Sequence, residues 1–169
     1  MSVTINLPEF PLEGGCQCGA VRYRLLGPPL GVYACHCKDC QRLSGAAFSM
    51  SMPIASERVE LLQGTLTAYD KAADSGRVVR MLGCSQCGIK VWNEPLSAPG
   101  MLVLKPGTLD DLGWAQPIGN IWTASKAPWV EIDEGLVNFA SQPPDRKALY
   151  DAWDRAVARG MDQGGVATP

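Results

Sequence analysis

Histidine is nearly absent from this chain: His36 is the only one among 169 residues. Metal centres built on several imidazoles are thereby excluded. Charge of one sign is equally scarce, with fifteen Lys plus Arg against seventeen Asp plus Glu, a formal net charge of −2. The basic footprint that nucleic acid or an anionic membrane surface requires is missing. No apolar stretch approaches the roughly 18 residues that would cross a bilayer. The opening MSVTINLPEFPLEGG has neither the basic start nor the apolar centre of a secretory signal. A soluble, cytoplasmic protein without nucleic-acid or membrane partners is expected. Neither the P-loop pattern nor G-x-G-x-x-G occurs, which removes the common phosphate cradles.

What the chain does have is strand periodicity. VRYRL sets Val21, Tyr23 and Leu25 opposite Arg22 and Arg24, and AFSMSMPI alternates Phe48, Met50, Met52 and Ile54 with Ser49, Ser51 and Pro53. The methionines read as core. GVYACHC, RVELL, TLTAYD, RVVRML, IKVWNE, MLVLK and PWVEI continue the pattern, separated by Gly, Pro, Asp and Ser at spacings too short for intervening helices. Antiparallel β structure is expected rather than βαβ units. Only the tail reads as helix, over about 145–159, because Leu149, Trp153, Ala156 and Val157 recur at three-to-four spacing and Gly160 suits a C′ position. With no repeat and no dividing linker, the chain reads as one domain, 1–169, with its core over about 12–140 and a loose tail over 160–169.

The seven cysteines fall into three groups: Cys16 and Cys18 in GGCQCGA, Cys35, Cys37 and Cys40 in CHCKDC, and Cys84 and Cys87 in GCSQCGI. In a reducing compartment such clusters hold metal or do redox work more often than they form a disulfide scaffold. A structural zinc ion takes four ligands, and C-x-x-C followed by Gly is a turn that supplies two. Cys16 and Cys18, at alternate positions of an extended segment, project to one side and can supply the other two. Spacing alone does not say which C-x-C joins Cys84 and Cys87. Pairing them with Cys16 and Cys18 is preferred because it uses every cysteine and matches ligand numbers.

Cys35, Cys37 and Cys40 are then left as a triplet able to converge on one ion with a tetrahedral position open, as catalytic zinc sites keep. His36 alternates away from Cys35 and Cys37 and reads as a structural or supporting side chain. Recruiting it into a Ser-His-Asp device would mean taking it from between two ligands. Three thiolates leave a divalent cation with a formal charge of about −1, a poor activator of water but well suited to taking a thiol as thiolate. The chemistry implied is making or breaking a carbon–sulfur bond. Lys38, Arg42 and Lys126 are candidate cations for an anionic thiol. Asp110 and Asp111, in PGTLDD, read as turn residues before general bases. Trp114, Trp122 and Trp129 read as core before pocket walls.

GGCQCGAVRY, CHCKDCQRLSGAAF, GTLTAYD, CSQCG, PGTLDD and SKAPWVEI occur in an order and spacing that resembles the GFA family, named for glutathione-dependent formaldehyde-activating enzyme and shared with a centromere-protein-V domain. The likeness runs from about Gly15 to Phe139. It implies a mainly β fold, a β-tent of short antiparallel sheets built around zinc with a C-terminal helix. It implies a structural zinc at Cys16, Cys18, Cys84 and Cys87 and a catalytic zinc at Cys35, Cys37 and Cys40, two ions per chain, the catalytic one the more readily lost. Lyase chemistry on a small thiol such as glutathione and an aldehyde is implied, joining them as an adduct such as S-hydroxymethylglutathione or splitting it. Two departures stand out: Asn120 where many members have His, and Gly83 where an aromatic commonly precedes the C-x-x-C pair. The alternatives are a noncatalytic zinc-binding module and a thiol redox enzyme related to methionine sulfoxide reductases.

Overall fold

The computed structural model describes residues 3–72 and 77–162. Its elements, in chain order, begin with β1 (Leu12–Gly15), β2 (Arg22–Leu25), β3 (Tyr33–Cys35), α1 (Lys38–Ser44), β4 (Ser49–Ala55), β5 (Val59–Gln63) and β6 (Leu66–Ala72). They continue with β7 (Val78–Cys84), β8 (Lys90–Pro95), β9 (Met101–Leu104), β10 (Gly119–Ile121), β11 (Val137–Asn138) and α2 (Lys147–Asp162). The architecture is mainly β, in short sheets, with one C-terminal helix. No helix among the described residues is long and apolar enough to cross a membrane.

Two compact units form, one from within residues 1–8, 31–51 and 113–169, the other from 9–30 and 52–112. In the second unit, β1, β2 and β5 make an antiparallel sheet, and β9, β8, β7 and β6 follow the end of β4 in another. The alternation of VRYRL is realised: Val21, Tyr23 and Leu25 are fully buried. Tyr23 meets Trp92 of β8 edge-on at 6.0 Å, and its hydroxyl shares a 2.8 Å hydrogen bond with Thr108. This apolar layer between sheets is the unit's core. On the outer face Arg22 pairs with Asp110 at 2.5 Å and with Glu13 at 3.3 Å. Asp110 is therefore an ion-pair partner of the sheet, in keeping with the turn reading.

In the first unit the sheet order is β11-β10-β3-β4, and β10 runs parallel to both β3 and β11. These two parallel pairings stand beside otherwise antiparallel ones and were not legible in the sequence, because strands of three and two residues are too short to display a period. PWVEI forms no strand. Val130 N–H closes a turn on Ala127 at 3.0 Å, and Trp129 is 75% exposed, so neither a core nor a ladder holds this stretch extended. Nor is the tail the only helix: α1 begins directly at the cysteine triplet. In β4 the serines Ser49 and Ser51 are buried and Met50 is half-buried, with Met52 fully buried, so only part of the expected methionine face is core.

Register assigns the two faces of this small sheet. Ser51, Ser49 and Ile121 stand beside Tyr33, Cys35 and Cys35 respectively, while Met50 and Asn120 stand beside Ala34. One face thus carries Tyr33 and Cys35, the other His36 and Asn120. Helix α2 covers the Cys35 face, since a Cβ on Gly119 would lie 2.6 Å from Leu149. It buries Leu149, Trp153, Ala156 and Gly160 at helical spacing. Gly160, read from the sequence as the residue beyond the helix, lies inside it because the backbone of Ile5 passes there, and a Cβ would sit 2.1 Å from the Ile5 carbonyl oxygen. The tail expected to be loose lies, from 163 on, outside the described residues.

Two outcomes follow from this packing. Gly160→Ala should destabilise by about 1–3 kcal/mol through overpacking against a carbonyl that cannot rotate away, read as a lower urea midpoint. The Arg22 guanidinium holds Asp110 below its ordinary value of 3.8, so the ion pair contributes above that value and its contribution disappears as pH falls through the lowered folded-state pKa. Asp110→Asn should therefore cost about 0.5 kcal/mol at neutral pH, the pair being half-exposed, and in acid unfolding the difference from wild type should vanish as pH falls through the lowered pKa of Asp110.

Candidate metal centres

In the second unit, Cys16 follows β1 and Cys18 lies in the turn toward β2, while Cys84 ends β7 and Cys87 sits in the turn to β8. Gly19 and Gly88, at φ 75° and 74°, take the left-handed conformation that lets each turn double back after its second cysteine. Gly19 N–H bonds the Cys16 carbonyl at 3.0 Å and Gly88 N–H the Cys84 carbonyl at 2.9 Å. Cys18 Sγ lies 3.4 Å from Cys16 Sγ and 3.8 Å from Cys84 Sγ, and all four sulfurs fall within 4.8 Å of one another.

In the first unit, β3 delivers Cys35 and the extended chain then delivers Cys37, which caps α1. One turn of α1 brings back Cys40, and the three sulfurs again lie within 4.8 Å of one another. Cys35 Sγ and Cys37 Sγ are 3.6 Å apart. No fourth His, Cys, Asp or Glu atom among the described residues joins the triplet.

These distances suit a shared cation. Sulfurs at about 2.3 Å from a tetrahedral zinc stand ~3.8 Å apart, and no pair here approaches the ~2.05 Å of a disulfide. Backbone donors favour thiolates at both places: Val21 N–H points at Cys16 Sγ at 3.2 Å, Gln86 N–H at Cys84 Sγ at 3.4 Å, and Cys40 N–H at Cys37 Sγ at 3.4 Å. As free thiols, the triplet divides its protons unevenly. Hydrogen bonds from Cys35 and then Cys40 hold Cys37 well below the usual thiol range, while those with Cys37 and Cys40, together with burial, push Cys35 up. Both groups could hold a metal ion, and their all-sulfur donor sets are consistent with zinc.

His36 is 1% exposed and takes no place among the sulfurs. Its Nε2 meets Asn120 Oδ1 at 3.0 Å, and Asn120 Nδ2 donates to Asn138 Oδ1 at 2.8 Å, which orients Asn120 so that His36 Nε2 carries the proton. Its ring packs on Phe48 at 5.2 Å. Gln41, one residue after Cys40, donates to the carbonyls of His36 at 2.7 Å and Ser125 at 2.9 Å, tying α1 to the turn at Thr123–Ser125. That turn follows Trp122, held at φ 61°, a conformation that costs a bulky residue about 1–2 kcal/mol.

The cations expected from the sequence are otherwise engaged. Lys38 bonds Gln41 at 3.2 Å, Arg42 stands 4.0 Å from Asp39, and Lys126 donates to the Val130 carbonyl at 2.8 Å. Trp114 packs on Trp153 with ring centroids 6.4 Å apart. The residues that sequence reasoning missed are Tyr33, Ser49, Ser51 and Arg146. Arg146 Nε donates to Tyr33 Oη at 3.1 Å, and its guanidinium lies 5.3 Å from the Tyr33 ring centre. Burial, with the charges of Cys35 and Cys40 adding to it, pushes the Tyr33 phenol up. Tyr33 could have been found from its position two residues before Cys35; nothing local pointed to Arg146.

Fold and sites together define a mainly β protein with a four-cysteine and a three-cysteine group, each able to hold a metal ion. The family profile described as "Glutathione-dependent formaldehyde-activating enzyme" matches residues 11–125, and the chain belongs to this GFA family. A Halomonas elongata protein named "Putative glutathione-dependent formaldehyde-activating enzyme" is 25% identical over 148 residues, covering 83% of this chain and 94% of its own. A solved structure of a Rhodobacter sphaeroides protein is 18% identical and covers 76% of this chain and 99% of its own, at a TM-score of 0.48.

Substituting one cysteine in each group should separate their roles. Cys84→Ser should lower bound metal by one ion and cost about 3 kcal/mol or more of stability. Cys37→Ser should lose one ion with a much smaller shift in the unfolding midpoint, because its ligands are neighbours in sequence. Elemental analysis beside denaturant unfolding reads both.

Proposed function

We propose that this chain is a zinc-dependent carbon–sulfur lyase acting on a thiol–aldehyde adduct such as S-hydroxymethylglutathione. The observation that carries the reading is the convergence of Cys35, Cys37 and Cys40 with no fourth protein ligand among the described residues. Cys16, Cys18, Cys84 and Cys87 would hold a structural zinc, and the triplet would hold the catalytic one. Zinc bound by three thiolates supplies a soft position at which a substrate thiol loses its proton.

The chain's own residues do the remaining work. Cys35 is buried beneath α2's face of the sheet, so the reacting sulfur would be kept from bulk water. His36 and Asn120 brace the loop from the opposite face, and Gln41 holds its carbonyl, so that Cys35 and Cys37 keep one direction. Asn120, standing where many family members have His, serves here as the acceptor for His36 rather than as a group on the Cys35 face. In the cleavage direction the carbon–sulfur bond breaks and its electron pair leaves with the sulfur. The adduct hydroxyl gives up its proton as the carbonyl forms, and aldehyde and thiol are the products.

The zinc-loaded chain should release formaldehyde from S-hydroxymethylglutathione at least ~10-fold faster than buffer, and Cys40→Ser should return the rate to the buffer value. Two bound metals that no thiol perturbs, with no acceleration, would instead make this a noncatalytic zinc module. One metal and a cysteine that cycles through oxidation would make it a redox enzyme.

A further inference from the structure

Arg146 is placed differently from the arginines carried on strands β2 and β7. Arg22, Arg24 and Arg80 each pair with a carboxylate, whereas Arg146 forms no ion pair with any carboxylate among the described residues. Its partners are neutral: the Tyr33 hydroxyl and, with the Gln142 amide turned to its better orientation, the Gln142 oxygen at 2.5 Å from Nη1 and 3.1 Å from Nη2. A guanidinium has five N–H donors; these acceptors engage Nε and both Nη groups and leave one further N–H on each Nη. The group is half-buried, so its charge is little screened.

Its place on the sheet decides what it can serve. Tyr33 and Cys35 are alternate residues of β3 and project from the same face, the one that α2 covers. Arg146 comes immediately before α2 and reaches down onto Tyr33 on that face. The buried hydroxyls of Ser51 and Ser49 stand beside Tyr33 and Cys35 in register. Buried polar groups and one half-buried cation without a carboxylate partner therefore lie along the sheet beside the triplet. The large open groove lined by Thr123, Lys126, Glu131 and Asn138 does not compete for this role: Asn138 stands in register with Asn120, on the His36 face behind the thiols.

We propose that Arg146 is a specificity-determining residue that binds a carboxylate of the thiol substrate, so that the triplet selects thiols carrying a negative charge over neutral ones. The inference rests on the lyase reading above and deepens it to a substrate class. The N–H left over on each Nη can donate a charge-assisted hydrogen bond to a carboxylate oxygen. Tyr33 stacks under the guanidinium and fixes the angle at which the carboxylate must arrive.

The test measures binding and needs no turnover. Zinc-loaded full-length wild type, Arg146→Gln and Arg146→Lys are titrated calorimetrically with 3-mercaptopropionate, which is anionic, and with 2-mercaptoethanol, which is neutral and of similar size. Wild type should prefer the anionic thiol, and Arg146→Gln should lower the ratio of the two affinities about tenfold or more. Arg146→Lys should recover part of that ratio. Loss of a merely structural contact would weaken both thiols alike and leave the ratio unmoved, which overturns the proposal while the lyase reading stands. Zinc content and the unfolding midpoint of each variant show whether the comparison is between folded proteins, and Arg146→Lys carries the test if the Gln variant unfolds: a ratio below wild type's with the neutral thiol's affinity intact supports the proposal, and a ratio unmoved from wild type's overturns it. Failure of wild type to bind either thiol overturns the lyase reading and this proposal together.

Discussion

Everything in this protein is arranged around bringing sulfur atoms closer than isolated thiols would choose to be. Each cluster needs its sulfurs within a few ångströms, and thiolates at that spacing repel one another unless donors or a cation lie among them. The chain answers with backbone N–H groups aimed at Cys16, Cys37 and Cys84 and with turns that deliver two cysteines apiece. A divalent cation in each group would complete what these partial charges begin. The two groups differ in ligand number and in setting. One joins two hairpin turns of a layered β unit, and the other begins a short helix at the end of a buried strand.

That difference accounts for why one cluster reads as structure and the other as chemistry. Four sulfurs from two turns would fill the coordination of a tetrahedral ion and leave nothing for a further ligand to take. Three sulfurs from one loop, braced by His36, Asn120 and Gln41 on one side and facing Tyr33 and buried serines on the other, form a centre with a supported back and a polar front. The conformation of Trp122 belongs to the same design. A bulky side chain at positive φ persists only where its surroundings over-determine it, and here β10 must stop beside Cys35 and turn so that Ser125 can meet Gln41.

What could be read from the sequence was what is local or numerically constrained. The division of seven cysteines into four and three followed from ligand numbers, and the structure brings those same residues together. Strands with a full period, such as the one burying Tyr23 between Arg22 and Arg24, were equally plain. Helix α1 escaped because it is seven residues long and is capped by Cys37, a residue read as a ligand. Strands β10 and β11 escaped because two or three residues carry no period. PWVEI misled because its composition favours a strand while its backbone closes a turn. Arg146 could not have been found at all, since its meeting with Tyr33 spans most of the chain.

The separation between the cysteines of the larger cluster has a further meaning for how the chain is made. Cys18 and Cys84 stand 66 positions apart, so during synthesis the first pair leaves the ribosome long before its partners exist. The triplet, by contrast, is complete as soon as one short loop has emerged. Bringing distant segments together carries the larger entropic cost and comes late. A nascent chain would therefore complete its three-sulfur group early and its four-sulfur group last, with Cys16 and Cys18 waiting for their partners in the interval.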